Sequence, residues 1–388
     1  MREKISGQEI NQGSWITDRS GKSKTIYWLA LSQILRGDYR RLEKVARAFP
    51  DIEKAFEAGE MELLALGLEK EIVDKFVSGM ALELAHKLEA RLIKNNFWVI
   101  SKDDPDYPSL LREIHYPPFV LFGAGRKEVL NQPAVAIVGT RRPSPYGRSM
   151  AERLAEDLAG LGLVIVSGLA RGIDSLAHEA ALRSGLTVSI LGSGLDKIYP
   201  PENRGLFKKI IAAGATISEY PPDEPPLAHH FPWRNRLISG LSLATIVVEA
   251  SAQSGSLITA RLALDQNREV MAVPGRAGSE LSQGTNGLIK AGAKLIESWQ
   301  DVVVELPSPV RDAILLKEKA ERNRLTAAAQ DEQERLVMSC LSTEEIRTLD
   351  EIVFRSGKSA AEILAILLRL ELKGLVLSFP GSAYQRRV

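Results

Sequence analysis

Residues 134–147 read AVAIVGTRRPSPYG, and this stretch decides the fold. Ala134 to Val138 form an apolar run of the length of a buried parallel strand. Gly139 and Thr140 end it, Arg141 and Arg142 follow, and two prolines flank Ser144. From about Tyr146 a helix begins, with Met150, Leu154, Leu158 and Leu161 on one side. A strand, a glycine turn and a helix open a nucleotide-binding α/β unit, whose helix N-terminus offers unpaired N–H groups to an anion. The two arginines add full charges at the strand's exit. The stretch has two readings: a phosphate cradle, or a plain strand-to-helix turn with solvated arginines.

The pattern repeats downstream. Leu163–Ser167, Thr187–Leu191, Ala215–Ser218, Thr245–Val248 and Glu269–Val273 read as further strands, each followed by a glycine- or proline-rich loop. Such alternation predicts an α/β fold, a Rossmann-like, mostly parallel sheet with helices on both faces. Right-handed crossovers put the strand-to-helix loops on one edge, and ligands bind there, near the point where strand order reverses. We place this domain at residues 119–302. Before it, 1–25 read as a flexible arm, and 26–118 as a helical domain of the sterile-alpha-motif or helix-hairpin-helix kind. The tail of that domain, from residue 97, bridges into the sheet. After it, the charged segment 303–334 reads as a helical or flexible linker, and 335–388 as a winged helix. In the last segment Glu344–Phe354 and Ala360–Leu372 are helices and a short hairpin follows. Lys358 and Arg369 there are offset by Glu345, Asp350 and Glu351, so a protein contact is as well supported as a DNA contact.

Composition narrows the function. The chain has 388 residues and a net charge of +1, so any nucleic-acid site must be a local basic patch. Its one cysteine, Cys340, excludes an internal disulfide framework. No apolar run reaches the roughly 18 residues of a membrane span, and the N-terminus lacks the apolar core of a signal peptide. A cytoplasmic protein without membrane contact is the expectation.

Five glycine-rich loops converge on the ligand edge: Gly139-Thr140-Arg141, Gly168–Asp174 with Arg171 and Gly172, Gly192–Asp196 with Ser193 and Gly194, Ser254–Thr259 with Gly255 and Ser256, and Gly275-Arg276. None is a Walker loop, and no GxGxxG follows the first strand. Runs of backbone N–H with small residues still cradle phosphate, and Arg141, Arg142, Arg171, Arg234 and Arg236 sit in or near them. Residues 231–239, FPWRNRLIS, combine Phe231 and Trp233 with Arg234, Asn235 and Arg236. In an exposed loop that composition fits single-strand binding; otherwise the aromatics fill core space and the arginines pair with Glu249 or Asp174. The histidines (His86, His115, His178, His229, His230) show no metal-triad spacing. His178 lies one helical turn after Asp174, as a local pair or an acid–base dyad. Glu249 ends a buried strand and reads as an anchor for Arg234 or Arg236, or else as a general base. We assign no catalytic residue, metal or cofactor.

Taken together, VGTRRPSPYG (138–147), SGLARGIDSLAH (167–178), LGSGLDKIYPPEN (191–203), ISEYPP (217–222), HFPWRNRLISGLS (230–242), EASAQSGSLITARLA (249–263) and AVPG (272–275) resemble the DNA-processing protein A family, also called Smf. The resemblance implies a protein that binds single-stranded DNA, protects incoming DNA and helps load the RecA recombinase in natural transformation and homologous recombination, as a homodimer and without catalytic turnover. It implies that Gly139, Thr140 and Arg141 hold backbone phosphate and that Phe231 stacks a base. It places the self-contact around Asn286, Leu288, Ile289 and Leu295, where a short strand at 293–296 reads as a sheet edge, and the recombinase contact around Leu264. Two departures stand out. Pro201 and Ala228 occupy positions where family members often carry lysine, and His229, Lys197 or Arg142 are the available compensating cations. The competing enzyme class is a Rossmann-like nucleotide phosphoribohydrolase. SerGlySerLeuIleThrAla at 254–260 is similar to the glycine-rich loop of those enzymes but lacks its glutamate, with Ala260 and Arg261 at that end.

Overall fold

The computed structural model describes residues 24–35, 38–327 and 332–387, with side chains of 321–327 excepted. Residues 1–23 of the expected arm lie outside them. The chain divides into two compact units, with the break between Pro307 and Ser308.

The first unit opens with α1 (Thr25–Leu35), α2 (Tyr39–Ala48), α3 (Glu60–Ala65), α4 (Lys70–Val77) and α5 (Met80–Lys94). Asp38 caps α2 by accepting from the N–H groups of Arg40 and Arg41, and Leu42 and Val45 face inward. Next come β1 (Phe97–Ser101), α6 (Ser109–Arg112), β2 (Val120–Gly125), β3 (Ala134–Val138), α7 (Pro145–Gly160), β4 (Val164–Ser167), α8 (Ile173–Ser184) and β5 (Thr187–Leu191). The unit ends with α9 (Arg204–Ala213), β6 (Ala215–Ser218), α10 (His230–Gly240), β7 (Ala244–Val247), α11 (Ser256–Asp265), β8 (Glu269–Ala272), α12 (Gln283–Lys290), β9 (Lys294–Leu295) and α13 (Trp299–Val304).

These strands form one nine-stranded sheet in the order β1-β2-β6-β5-β4-β3-β7-β8-β9. β3 to β9 run parallel, while β1 and β2 add antiparallel on one side. Chain order runs outward from β3 to β6 on one side and then returns to β7 on the other. The switch point therefore lies between β3 and β7, and β3 is fully buried there. Alternating side chains of β2 show the two faces. Val120 and Phe122 belong to the core that holds Trp28 and Leu92 of the helical region and Leu206 of α9, whereas Leu121 belongs to the core that holds Leu111, Val138 and Ile190. The helical region thus shares its core with the sheet, and the boundary expected at 118/119 falls between the first two strands of that sheet. Val302, Val303 and Leu306 are likewise buried in this unit, so it extends a few residues past the expected end at 302.

The second unit holds α14 (Ser308–Ala327), α15 (Glu332–Cys340), β10 (Arg347–Thr348), α16 (Leu349–Ser356), α17 (Ala360–Leu372), β11 (Val376–Phe379) and β12 (Ala383–Arg386). Most of the expected linker is the single helix α14. The helix expected from Glu344 begins only at Leu349, because Thr348 and Glu351 form a capping box that sets its first turn. Helices and a three-stranded sheet, β10-β12-β11, pack around Ile352, Ile363, Ile366, Leu367 and Leu370, which is a winged helix.

Candidate nucleic-acid interface

The carboxyl ends of β3 and β7 open onto a cleft of about 770 Å³. One wall is Gly139, Thr140 and Arg141, at the exit of β3. The facing wall is Ser254, Gly255 and Ser256, at the start of α11. Phe231, Arg234 and Asn235 of α10 complete it. The walls are sewn together behind the cleft, where Thr140 N–H donates to the Glu249 carbonyl at 2.8 Å. Gly255 precedes α11. The first-turn N–H groups of Ser256, Leu257 and Ile258 already donate to Ser254 Oγ (3.4 Å), the Ser254 carbonyl (3.1 Å) and the Gly255 carbonyl (3.1 Å), so what this helix brings to the cleft is the positive end of its dipole. Arg141 is exposed, and its guanidinium makes no hydrogen bond or ion pair among the described residues.

Arg234 forms the floor. It is buried, and its Nη1 donates to the carbonyls of Gly168 (2.7 Å) and Ile190. A Cβ on Gly168 would lie 2.6 Å from the guanidinium, so the close approach needs glycine there. Burial pushes Arg234 down to about 10, with the Asp174 carboxylate opposing the shift and Arg141 adding to it. Asp174 accepts the N–H groups of Gly168 (3.0 Å) and Ala170 (3.4 Å). Its carboxyl is raised by burial against the pull of Arg234.

The remaining sequence candidates separate. Arg171 borders a smaller hollow with Tyr199, Phe231 and Arg234 but is ion-paired with Glu202. Gly172 packs behind the Thr140–Arg141 backbone. Arg142 is exposed beside the cleft and not part of its lining. Ser193 and Gly194 do not face the cleft: Ser193 Oγ donates to the Lys197 carbonyl at 2.8 Å, and Gly194 packs under the backbone of Pro221 and Pro222. Arg236 is not presented to a ligand either. It is buried and forms a two-pronged pair with Glu219 at 2.9 and 2.6 Å. Trp233 packs with Tyr39 and Tyr116 and under the Arg236 guanidinium, 4.2 Å away, as core-filling aromatics do. The expected anchor role of Glu249 for Arg234 or Arg236 is replaced by a bond to Ser144.

His178 and Asp174 are no dyad. Thr187 Oγ1 gives its one proton to the Ile165 carbonyl (2.6 Å), so His178 Nδ1, 2.6 Å from that oxygen, must be the donor. His178 is a buried structural group, kept neutral because burial and the Arg234 charge hold it down to about 3. Ala228 lines the cleft, and His229 beside it is exposed. Tyr199, absent from the sequence candidates, also lines the cleft, with its ring 5.5 Å from that of Phe231. Its one sequence signal is an aromatic residue ahead of two prolines. No cluster of metal-ligating side chains occurs among the described residues, and no described helix is long and apolar enough to cross a membrane.

At the other end of the sheet β9 is an edge strand, with Leu295 48% exposed. Asn286 is engaged within the subunit, holding the Gly275 N–H and carbonyl at 3.1 and 2.9 Å. Leu288 packs against the core, Ile289 is half-buried, and Leu264 on α11 is exposed.

A doubly wound sheet with a cleft lined by Arg141 and Arg234 at its switch point, followed by a winged helix, defines a modular α/β protein. The chain belongs to the DNA recombination-mediator protein A family, whose model matches residues 97–307; residues 321–382 match the DprA winged helix domain. It is similar to Protein Smf of Synechocystis, 37% identical across 94% of this chain and 99% of that one. It is 46% identical to the DNA processing protein DprA of Streptococcus pneumoniae, over 52% of this chain and 72% of that one. The X-ray structure of the pneumococcal protein superimposes with a TM-score of 0.61, covering 73% of this chain and 98% of its own at 36% identity.

Proposed function

We propose that the first unit binds single-stranded DNA in the switch-point cleft, and that the protein thereby protects incoming DNA and helps load a RecA-type recombinase in transformation and recombination. The observation that carries this is the convergence, in one cleft, of an unpaired arginine, the N-terminal end of a helix and an aromatic side chain. Arg141, Gly139 and Thr140 take phosphate, α11 adds the positive end of its dipole, and half-buried Phe231 offers a ring face to a base. None of these groups is arranged to read base edges, so the binding has little sequence preference. The protein acts as a homodimer through β9 and α12, with the recombinase contact at Leu264, and by binding rather than by turnover. Two linked clefts would raise affinity for a long strand through effective concentration.

The test is an oligonucleotide titration across salt concentrations. Log affinity should fall with log salt at about −0.7 per phosphate neutralised. Salt-independent affinity, or equal binding to a neutral-backbone analogue, refutes the reading. Turnover of nucleoside monophosphates would instead support the phosphoribohydrolase class.

A further inference from the structure

In an α/β nucleotide fold, the first strand-to-helix turn and the N-terminus of its helix hold pyrophosphate. Here that turn joins β3 to α7, a helix of 16 residues. Its chemistry is unusual. Pro143 and Pro145 carry no N–H, so Ser144 supplies the one backbone donor of residues 143–145. That N–H goes to Glu249 Oε2 at 2.9 Å, and Ser144 Oγ donates to Glu249 Oε1 at 2.5 Å. Ser144 Oγ also accepts the Gly147 N–H at 3.1 Å, capping α7. Glu249 is 4% exposed, and its carboxylate lies so close over Gly147 that any Cβ at 147 would collide with it.

We propose that the Glu249 carboxylate fills the anion position at the N-terminus of α7 and thereby excludes mono- and dinucleotides from it, making Glu249 a specificity-determining residue. The carboxylate complements the helix dipole as a phosphate would and uses the donors a phosphate would need. With that position filled, an incoming phosphate is left with the facing position, between Arg141 and α11. The space a nucleotide would need is present: a hollow of about 460 Å³ is lined by Ser144, Tyr146, Glu249, Gly275, Arg276 and Glu297. Room is therefore not what excludes a nucleotide; the Glu249 carboxylate does so, at a turn that Pro143 and Pro145 leave poor in N–H donors. This assignment stands apart from the single-strand reading.

The experiment uses the full chain, the Glu249→Ala variant and the Glu249→Gln variant, which keeps the volume. Inorganic pyrophosphate binding is measured by calorimetry. Melting is followed in phosphate against chloride at matched ionic strength. Glu249→Ala should bind pyrophosphate roughly tenfold or more tighter than the parent and melt higher in phosphate, while Glu249→Gln does neither. If Glu249→Ala does not fold in chloride, phosphate should restore it. A folded Glu249→Ala that binds no better than the parent, a Glu249→Gln that binds as the alanine variant does, or an unfolded Glu249→Ala that phosphate does not rescue overturns the proposal. Single-stranded DNA binding by the same parent preparation separates this failure from failure of the DNA reading.

Discussion

Arg236→Ala separates what the motif FPWRNR suggests from what the structure does with it. If Arg236 contacted phosphate, the change would cost DNA affinity and spare the fold. In the structure its side chain is 4% exposed and paired in two-pronged geometry with Glu219, itself 11% exposed. Nε donates to the Tyr116 carbonyl at 3.0 Å, and the guanidinium covers Trp233. Truncation leaves a carboxylate buried without its partner, a loss of about 3–5 kcal/mol. At roughly 2–4 °C per kcal/mol for a large domain, the melting temperature should drop by about 6–20 °C. Single-strand affinity per folded molecule, measured below the transition by fluorescence anisotropy, should stay within about twofold, since a mutation outside the cleft leaves its contacts in place. The double change Arg236→Met with Glu219→Leu should recover part of the stability, because it removes both charges together. An Arg236→Ala chain that melts with the parent yet loses DNA would refute the argument.

Arg141→Ala should weaken single-strand binding by roughly 1–3 kcal/mol with melting unchanged, and Phe231→Ala by about 1–3 kcal/mol; parent-like binding by the first variant would make the phosphate assignment wrong. A chain ending at Pro307 should fold and bind single strands like the parent, and a large affinity loss on titration would show that the winged helix contributes a DNA surface. Leu295→Arg, at the exposed edge strand, should sediment as a folded monomer, whereas an intact dimer would move the self-contact elsewhere. Acid should destabilise the first unit through His178. Its folded value of about 3 lies below the unfolded value of about 6.5. The unfolded chain therefore takes up a proton that the folded chain does not, and stability falls as pH drops below about 6.5, by up to roughly 1.4 kcal/mol per pH unit. His178→Gln should flatten the pH dependence of denaturant midpoints by one proton, and an unchanged slope contradicts the assignment.

The parallel sheet was legible because strands such as AVAIV are apolar on both faces and end at glycine. The antiparallel pair was not. In FWVIS and VLFGAG the strand character is local, but their pairing with each other and with β6 is a long-range choice. β9 was legible as an edge but is shorter than the expected strand at 293–296, since only Lys294 and Leu295 pair with β8. The winged helix was legible from its apolar spacing, while the start of α16 was set by Thr348 and Glu351, a polar pair that hydrophobic period does not register.

The site was harder to read, and α10 shows why. Read as an exposed loop, residues 231–239 offer every aromatic and arginine to DNA. They form a helix, and its period sorts them. Phe231, Arg234, Asn235 and Ile238, at i, i+3, i+4 and i+7, line the cleft. Trp233 and Arg236 lie off that face, against Tyr116 and Glu219. Glu219 stands 17 residues earlier in the chain, at the end of β6, so nothing local announces the pair. The carbonyls of Gly168 and Ile190 that bind Arg234 leave no trace in side-chain identity at all. Of the five arginines that marked the region, Arg171 and Arg236 are spent on carboxylates and Arg234 on carbonyls. Arg142 stands outside the lining. Arg141 alone of the five lines the cleft with no partner among the described residues. The positive potential available to a ligand is thus one full charge beside helix dipoles, over a buried guanidinium that Asp174 partly neutralises. On the proposed reading, one such charge neutralises about one phosphate, so each cleft should contribute a salt slope of only about −0.7, and a much steeper slope would mean that cations outside the cleft also touch the strand.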